Sequence, residues 1–267
     1  MNILDKIVER KKTEVAGAKQ KTSIKELEYY RHFKTSVRSL KESLINNPEF
    51  PVISEFKRCS PSKGNINADA KIKDIIPGYT KAGVSGISVL TDKDFFGGCN
   101  DDLSTARDLT ETPIIRKEFI IDPYQVYEAK AIGASAILLI AAILDKQQAF
   151  DLAALANYLG MEVLMELHDE SETEILNSYV DLVGINNRNL KTFEVNLEHA
   201  ANLASSLPES MLPIAESGIH SAEDFLFLKE AGFKGFLMGE YFMKHDDPAR
   251  ACIEFRQQIT HQKTANT

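Results

Sequence analysis

The sequence predicts an α/β fold, a single (β/α)8 TIM barrel with an N-terminal helical extension, and three observations carry that expectation. From Pro51 onward, short apolar runs alternate with amphipathic helical stretches about eight times. The strand candidates are apolar along most of their length, as a parallel sheet covered on both faces requires. Glycines punctuate the pattern: Gly83, Gly133, Gly160 and Gly232 each follow a helical stretch and open the turn into the next strand. An open doubly wound sheet would require a Gly-rich first turn and fewer repeats, whereas SPSKGN follows the first strand here.

The extension, residues 1–48, comes first. Ile3, Leu4, Ile7 and Val8 have helical spacing, and 25–30 and 37–45 are further helical candidates. This segment is expected to pack over one barrel end, with some contribution to the rim. The barrel domain is placed at 49–262. Its strands are expected at 52–57, 86–91, 114–119, 136–140, 162–167, 182–186, 213–216 and 235–239. Helical patterns between them include 72–82, 122–132, 146–159, 170–177, 197–205 and 222–230. Asp122-Pro123 and Ser221 supply caps that open helices.

Composition narrows the function. The chain has 267 residues with 43% apolar content, enough for a sizeable core. A net charge of -8 leaves no basic stripe to displace counterions, so nucleic acid is not an expected partner. A local cluster of Lys, Arg and backbone N–H groups can still take an anion. Cys59, Cys99 and Cys252 are odd in number and lack C-x-x-C spacing, which argues for a reducing compartment and against a disulfide framework. Cys59 is read as a packing residue. His32, His168, His199, His220, His245 and His261 show no metal-ligand spacing, and no metal or cofactor is expected. No G-x-S-x-G elbow is present. The longest apolar run, 134–144, is too short for a bilayer, and the N-terminus lacks a signal-peptide core. No membrane association is expected, and a cytoplasmic location is.

The C-terminal ends of barrel strands carry the active site whatever the reaction. Those ends supply Glu55, Lys57, Lys117, Glu166, Asn186, Arg188, Glu216 and Ser217. Parity makes them converge: Ile53, Glu55 and Lys57 share a face, as do Ile115, Lys117 and Phe119, then Leu164, Glu166 and His168, and Gly184, Asn186 and Arg188. One Lys–Glu pair would suit a barrel mouth closed by salt bridges. Two lysines, three glutamates, an arginine and an asparagine suit catalysis better, because ionisable groups are costly to bury for packing alone. AESGIHS after the seventh strand and FLMGEYF after the eighth leave Gly218 and Gly239 where backbone amides can hold phosphate. Glu240 can help there only through its N–H, and Lys57 can add the positive charge that amides lack. Ser60 and Ser62 shape the SPSKG loop, with Ser60 a candidate substrate contact. Phe95-Phe96 either tucks under the loop after the second strand or walls an aromatic ligand. His168 shares parity with Glu166 and is read as a satisfied structural histidine.

SEFKRCSPSKG, SVLTDKDFFGG, IIRKEFIIDPYQVYEA, LMELHD, GINNRNLKTF, AESGI and GFLMGE, in this order, resemble the motif series of indole-3-glycerol phosphate synthases. The helical start ILDKIVERKKTEV is similar too, so the resemblance covers nearly the whole chain. It implies ring closure of 1-(2-carboxyphenylamino)-1-deoxyribulose 5-phosphate, loss of carbon dioxide and then of water, and release of indole-3-glycerol phosphate for tryptophan biosynthesis. By the same resemblance, Lys117 is a general acid on the ribulose carbonyl. Glu166 is a base or acid in the dehydration, with Lys57 assisting. Glu55, Asn186 and Ser217 position substrate and ionisable groups, and Arg188 lies near the substrate anion. Gly218, Gly239 and Glu240 form the phosphate cradle, while Leu90, Phe96, Phe119 and Leu138 wall the anthranilate ring. Glu118 stands where relatives more often have aspartate. Its outward parity makes its extra methylene a matter of packing. The chain ends soon after the eighth helix, so no fused isomerase barrel is expected. A monomer is expected, weakly associated with other tryptophan-pathway enzymes. The rivals are another phosphosugar barrel enzyme (an isomerase with a Cys/Asp pair, or a Schiff-base aldolase) and a non-catalytic barrel subunit.

Overall fold

Eight parallel strands close on themselves: β1 (Val52–Phe56), β2 (Gly86–Leu90), β3 (Ile114–Lys117), β4 (Ala136–Ile140), β5 (Glu162–Leu167), β6 (Leu182–Asn186), β7 (Leu212–Glu216) and β8 (Gly235–Met238). β8 returns to β1 in the register Val52↔Phe236 and Ser54↔Met238, which completes the barrel. The computed structural model describes residues 3–36, 38–187 and 197–265. The period-2 alternation of side chains sorts the strand residues into two cores. Val52, Phe56, Ile87, Val89, Ile137, Leu139, Val163 and Met165 face outward and pack with the surrounding helices. Ile53, Ile115, Leu138, Leu164, Leu182 and Ile214 face inward and fill the barrel interior.

The outer ring consists of α4 (Ile72–Ala82), α5 (Asn100–Leu109), α6 (Pro123–Ile132), α7 (Lys146–Tyr158), α8 (Leu197–Ser205), α9 (Ala222–Glu230) and, after the short α10 (Glu240–Met243), α11 (Pro248–Ala265). Asp122 caps α6 by accepting from the Tyr124 N–H, and Ser221 caps α9 by accepting from Asp224. Gly83 and Gly133 end α4 and α6 in the left-handed conformation, with φ of 74° and 97°. No helix among the described residues is long and apolar enough to cross a membrane.

Three local differences from the sequence reading have physical causes. Residues 170–177 read as a helix but form a six-residue 3-10 helix, Glu170–Ile175, whose only buried residue is Ile175. A single apolar anchor cannot hold a longer amphipathic α-helix. Conversely, α5 has the polar sequence NDDLSTARDL, which hides its helical period, because it buries Asp102 and Arg107 beside Leu103 and Ala106. The expected strand ends at 57, 91, 119 and 239 lie one or two residues beyond the ladder, which stops at Phe56, Leu90, Lys117 and Met238. Those last residues peel into loops, which frees their side chains from the sheet.

The extension reaches both ends of the barrel, not one. It contains α1 (Ile3–Lys21), α2 (Ile24–Leu27) and α3 (Leu40–Ile45). In α3, Leu40 and Leu44 fill the space that a Cβ at Gly86 or Gly235 would need, so this helix plugs the end where strands begin. Glu162, at the start of β5, fixes it there by accepting from the backbone N–H groups of Leu40 at 2.6 Å and Lys41 at 3.1 Å. Helix α1 crosses the opposite mouth, where Ile3, Leu4 and Ile7 line the central cavity.

Candidate active site

A cavity opens at the C-terminal ends of the strands, and its walls follow from side-chain parity. Glu55 from β1 and Lys57 just after it, Lys117 from β3, Glu166 from β5, Asn186 from β6, Glu216 from β7 and Ser217 just after it all line it. Leu90, Phe96, Phe119 and Leu138 form its apolar side. Ser60, Gly218, Gly239 and Glu240 complete the lining. Arg188 lies outside the described residues.

Lys117 is the hub. Its Nζ donates to Glu166 Oε2 and to Glu216 Oε2, each at 2.8 Å. Burial opposes the charged ammonium, yet the carboxylates of Glu166, Glu216 and Glu55 outweigh it and raise the Lys117 pKa. Lys117 therefore enters any reaction protonated. The two glutamates part company. Burial disfavours the Glu166 anion, but Lys117 and His168 overcome that and hold it well below the usual carboxylate range. Glu216 is pushed up to about 7, first by burial, with the Glu166 charge adding to it against the pull of Lys117. One ammonium between two buried carboxylates favours a proton on one of them near neutrality. Gly184 makes room for this arrangement, since a Cβ there would collide with Glu216 Oε1.

Glu166 Oε1 accepts from Asn186 Nδ2 at 3.2 Å, so β6 sets the orientation of the β5 carboxylate. On β1, Lys57 Nζ donates to Glu55 Oε1 at 2.5 Å, and Ser88 Oγ donates to Glu55 Oε2 at 3.3 Å. Glu55 presses against the last turn: a Cβ at Gly239 would lie 2.5 Å from its Oε1. The Lys57 ammonium is thereby held toward the side of the cavity that carries the glycine turns.

Those turns have unusual backbones. Ser217 has φ 65°, the only positive value outside glycine among the described residues, and Gly218 follows with φ 72°. Consecutive left-handed residues cost conformational energy and persist where the surrounding structure insists on them. Here Asn187 does so, donating from Nδ2 to the Ser217 carbonyl at 2.7 Å. Asn187 was missed by the strand-end reading because its parity is opposite to that of Asn186; the doubled asparagine in GINNR was the available signal. Gly239 precedes α10, and the Glu240 side chain turns to Lys63 at 3.2 Å, away from the role of repelling an anion. Phe96 packs on Phe119 with ring centroids 5.9 Å apart, which places it on the cavity wall. Phe95 tucks into the same interior cluster. Of the two rings, Phe96 lines the cavity and Phe95 does not.

Glu118 is buried at the edge of the cavity lining, and its partner is unexpected. Lys11 of α1, almost fully buried, places Nζ 2.9 Å from both Glu118 Oε1 and Asp92 Oδ2, and 2.6 Å from Glu14 Oε2. Thr91 Oγ1 donates to Glu118 Oε2 at 2.7 Å. The residue beside Lys117 is thus clamped to the helix that roofs the site. Lys11→Met is expected to destabilise the protein by about 3–5 kcal/mol, because it strands two buried carboxylates. Denaturant unfolding checks this, and a loss under about 1 kcal/mol would mean that α1 is not anchored by this group.

Cys59 is half-buried and packs near the Phe95 carbonyl, and Cys252 is fully buried beside Ser54. Neither lines the cavity.

The profile of the family Indole-3-glycerol phosphate synthase matches residues 4–255. The indole-3-glycerol phosphate synthase of Bacteroides thetaiotaomicron is 45% identical over 258 residues, covering 97% of this chain and 99% of its own. That of Verminephrobacter eiseniae is 43% identical over 259 residues, covering 94% of this chain and 97% of its own. Among solved structures, tryptophan synthase subunit alpha from Legionella pneumophila str. Paris superposes with a TM-score of 0.59 at 14% identity, covering 83% of this chain and 97% of that one. At that identity the likeness concerns the fold alone.

Proposed function

The chain belongs to the indole-3-glycerol phosphate synthase family, and we propose that it converts 1-(2-carboxyphenylamino)-1-deoxyribulose 5-phosphate to indole-3-glycerol phosphate as follows. The observation that carries the residue roles is Lys117, charged and 2.8 Å from two carboxylates, between an apolar wall and the amide-lined turns. The substrate phosphate sits on the backbone N–H groups around Gly218 and at Gly239–Glu240, with Lys57 supplying charge. The anthranilate ring lies against Leu90, Phe96, Phe119 and Leu138, and Ser60 closes the near side.

Attack of the aromatic ring on the ketone builds negative charge on oxygen, and Lys117 gives that oxygen a proton. Carbon dioxide then leaves, and the electron pair of the broken bond restores the aromatic ring. An apolar surround favours that step, since it removes a charged carboxylate. In the dehydration Glu166 takes the departing ring proton and Lys57 protonates the leaving hydroxyl. Glu55 holds Lys57, Asn186 aims Glu166, and Glu216 shares the Lys117 proton. Ser217 shapes the phosphate turn, and Arg188 is assigned to the substrate anion through the GINNR motif. The roles are carried by residues 49–262, with residues 1–48 as the extension. In this reading the enzyme is a cytoplasmic monomer, at most weakly associated with other tryptophan-pathway enzymes, and it uses no metal or organic cofactor.

Indole emission appears only on ring closure and dehydration, so a fluorescence assay on the synthetic substrate tests the activity. Emission rising with enzyme is expected, and none from folded wild-type protein would overturn the reading. Gly218→Val tests the phosphate site. It places a β-branched side chain at φ 72° and is expected to weaken phosphorylated ligands by at least about tenfold. Unphosphorylated analogues should be little affected, and equal loss for both would move the phosphate elsewhere.

A further inference from the structure

His168 follows β5 and does not line the cavity, and its environment is unlike that of a packing histidine. Its Nε2 lies 3.3 Å from Glu166 Oε1, and its Nδ1 lies 3.7 Å from Glu172 Oε2 in the 3-10 helix. The same Glu172 oxygen accepts from the His168 backbone N–H at 2.7 Å, which fixes that carboxylate against the ring. Each ring nitrogen thus has a carboxylate oxygen as its charged neighbour, at ion-pair distance and without a hydrogen bond of good geometry. Burial opposes charge on the imidazole, but the two glutamates raise its pKa to about 10.

The charge inventory of the site shows what this does. Among the described residues, the ammonium groups that Glu55, Glu166 and Glu216 meet across the cavity are those of Lys57 and Lys117. On the reaction proposed above, on which this inference rests, Lys117 gives up its proton during ring closure. Glu166 then loses the ammonium at its Oε2, just before it must act as a base.

We infer that His168 is a positioning residue: as an imidazolium beside Glu166 Oε1, it keeps Glu166 ionised after Lys117 has been discharged, while Asn186 keeps it aimed. Among the described residues, the groups facing Glu166 are Lys117 from β3, Asn186 from β6, Glu216 from β7 and His168 just after β5. Those facing His168 are Glu166, Glu172 and the adjoining Asp169.

The test is the pH dependence of kcat and KM for wild type, His168→Gln and His168→Lys. Loss of the cation removes support for the Glu166 anion, so the acidic limb of kcat in His168→Gln is expected about one pH unit higher than in wild type. A kcat loss of about tenfold at neutral pH should accompany it, with KM within about twofold, because the ring does not touch substrate. His168→Lys restores a cation and is expected to bring the limb back toward the wild-type position. Coincident limbs for wild type and His168→Gln would overturn the inference, as would a His168→Lys limb no nearer to wild type. Should His168→Gln fail to fold, the comparison of His168→Lys with His168→Asn decides in the same way. Inactive wild-type protein would instead refute the reaction itself, so the two failures are distinguishable.

Discussion

Lys117→Ala is expected to abolish turnover, lowering kcat by about a thousandfold or more while leaving substrate affinity within a few-fold. The ammonium meets the substrate oxygen as negative charge develops, so its removal costs the transition state far more than the bound ground state. The proposed phosphate turns follow β7 and β8, and Leu90, Phe96 and Leu138 of the apolar wall come from outside β3. The substitution also leaves Glu166 and Glu216 buried, at 5% and 2% exposure, without their shared cation. Protonation of one of them relieves that repulsion, so the variant should fold and bind. Equilibrium binding of substrate and single-turnover indole emission measure the two halves of this expectation. Near-normal turnover by folded Lys117→Ala would assign the acid to another group.

Glu166→Gln is expected to lower kcat by about a hundred- to ten-thousandfold, with a signature that Lys117→Ala lacks. Glutamine keeps the size and the hydrogen bond with Asn186 but cannot accept the ring proton. Ring closure and decarboxylation precede that step, so carbon dioxide should be released faster than indole appears. In Lys117→Ala both signals should be absent together. Single-turnover measurement of both products checks this order. Equal suppression of carbon dioxide and indole in Glu166→Gln would place Glu166 at an earlier step.

The strand-end lysines and glutamates were legible in the sequence because two periodicities coincide. Alternation along Ile53–Glu55–Lys57 and from Leu164 to Glu166 points polar tips inward, and closure of the barrel makes inward faces meet. Closure itself was legible from repeated strand–helix units ending in glycine. The hidden parts depend on contacts between distant segments. Nothing local to Lys11 says that it will cross from α1 to Asp92 and Glu118. Nothing local to Leu40 or Leu44 says that they plug the opposite end beside Gly86 and Gly235. α5 was obscured because tertiary pairing satisfies its polar face: Arg58 bonds Asp102 Oδ1 at 2.9 Å. His168 was read as structural on base expectation, and only its two carboxylate neighbours, one on a segment misread as α-helix, give it another role.

Both large effects depend on one proposed geometry, in which the reacting sugar chain lies between Lys117 and Glu166 with its phosphate on the two turns. A crystal structure with indole-3-glycerol phosphate bound tests that most directly. The phosphate is expected within hydrogen-bond distance of the backbone N–H groups at Gly218 and Gly239–Glu240, with the indole ring against Phe96 and Phe119 and Lys117 Nζ facing the newly formed ring. Product bound in the cavity with its phosphate remote from both turns, or with Lys117 turned away from the ring, would contradict the account.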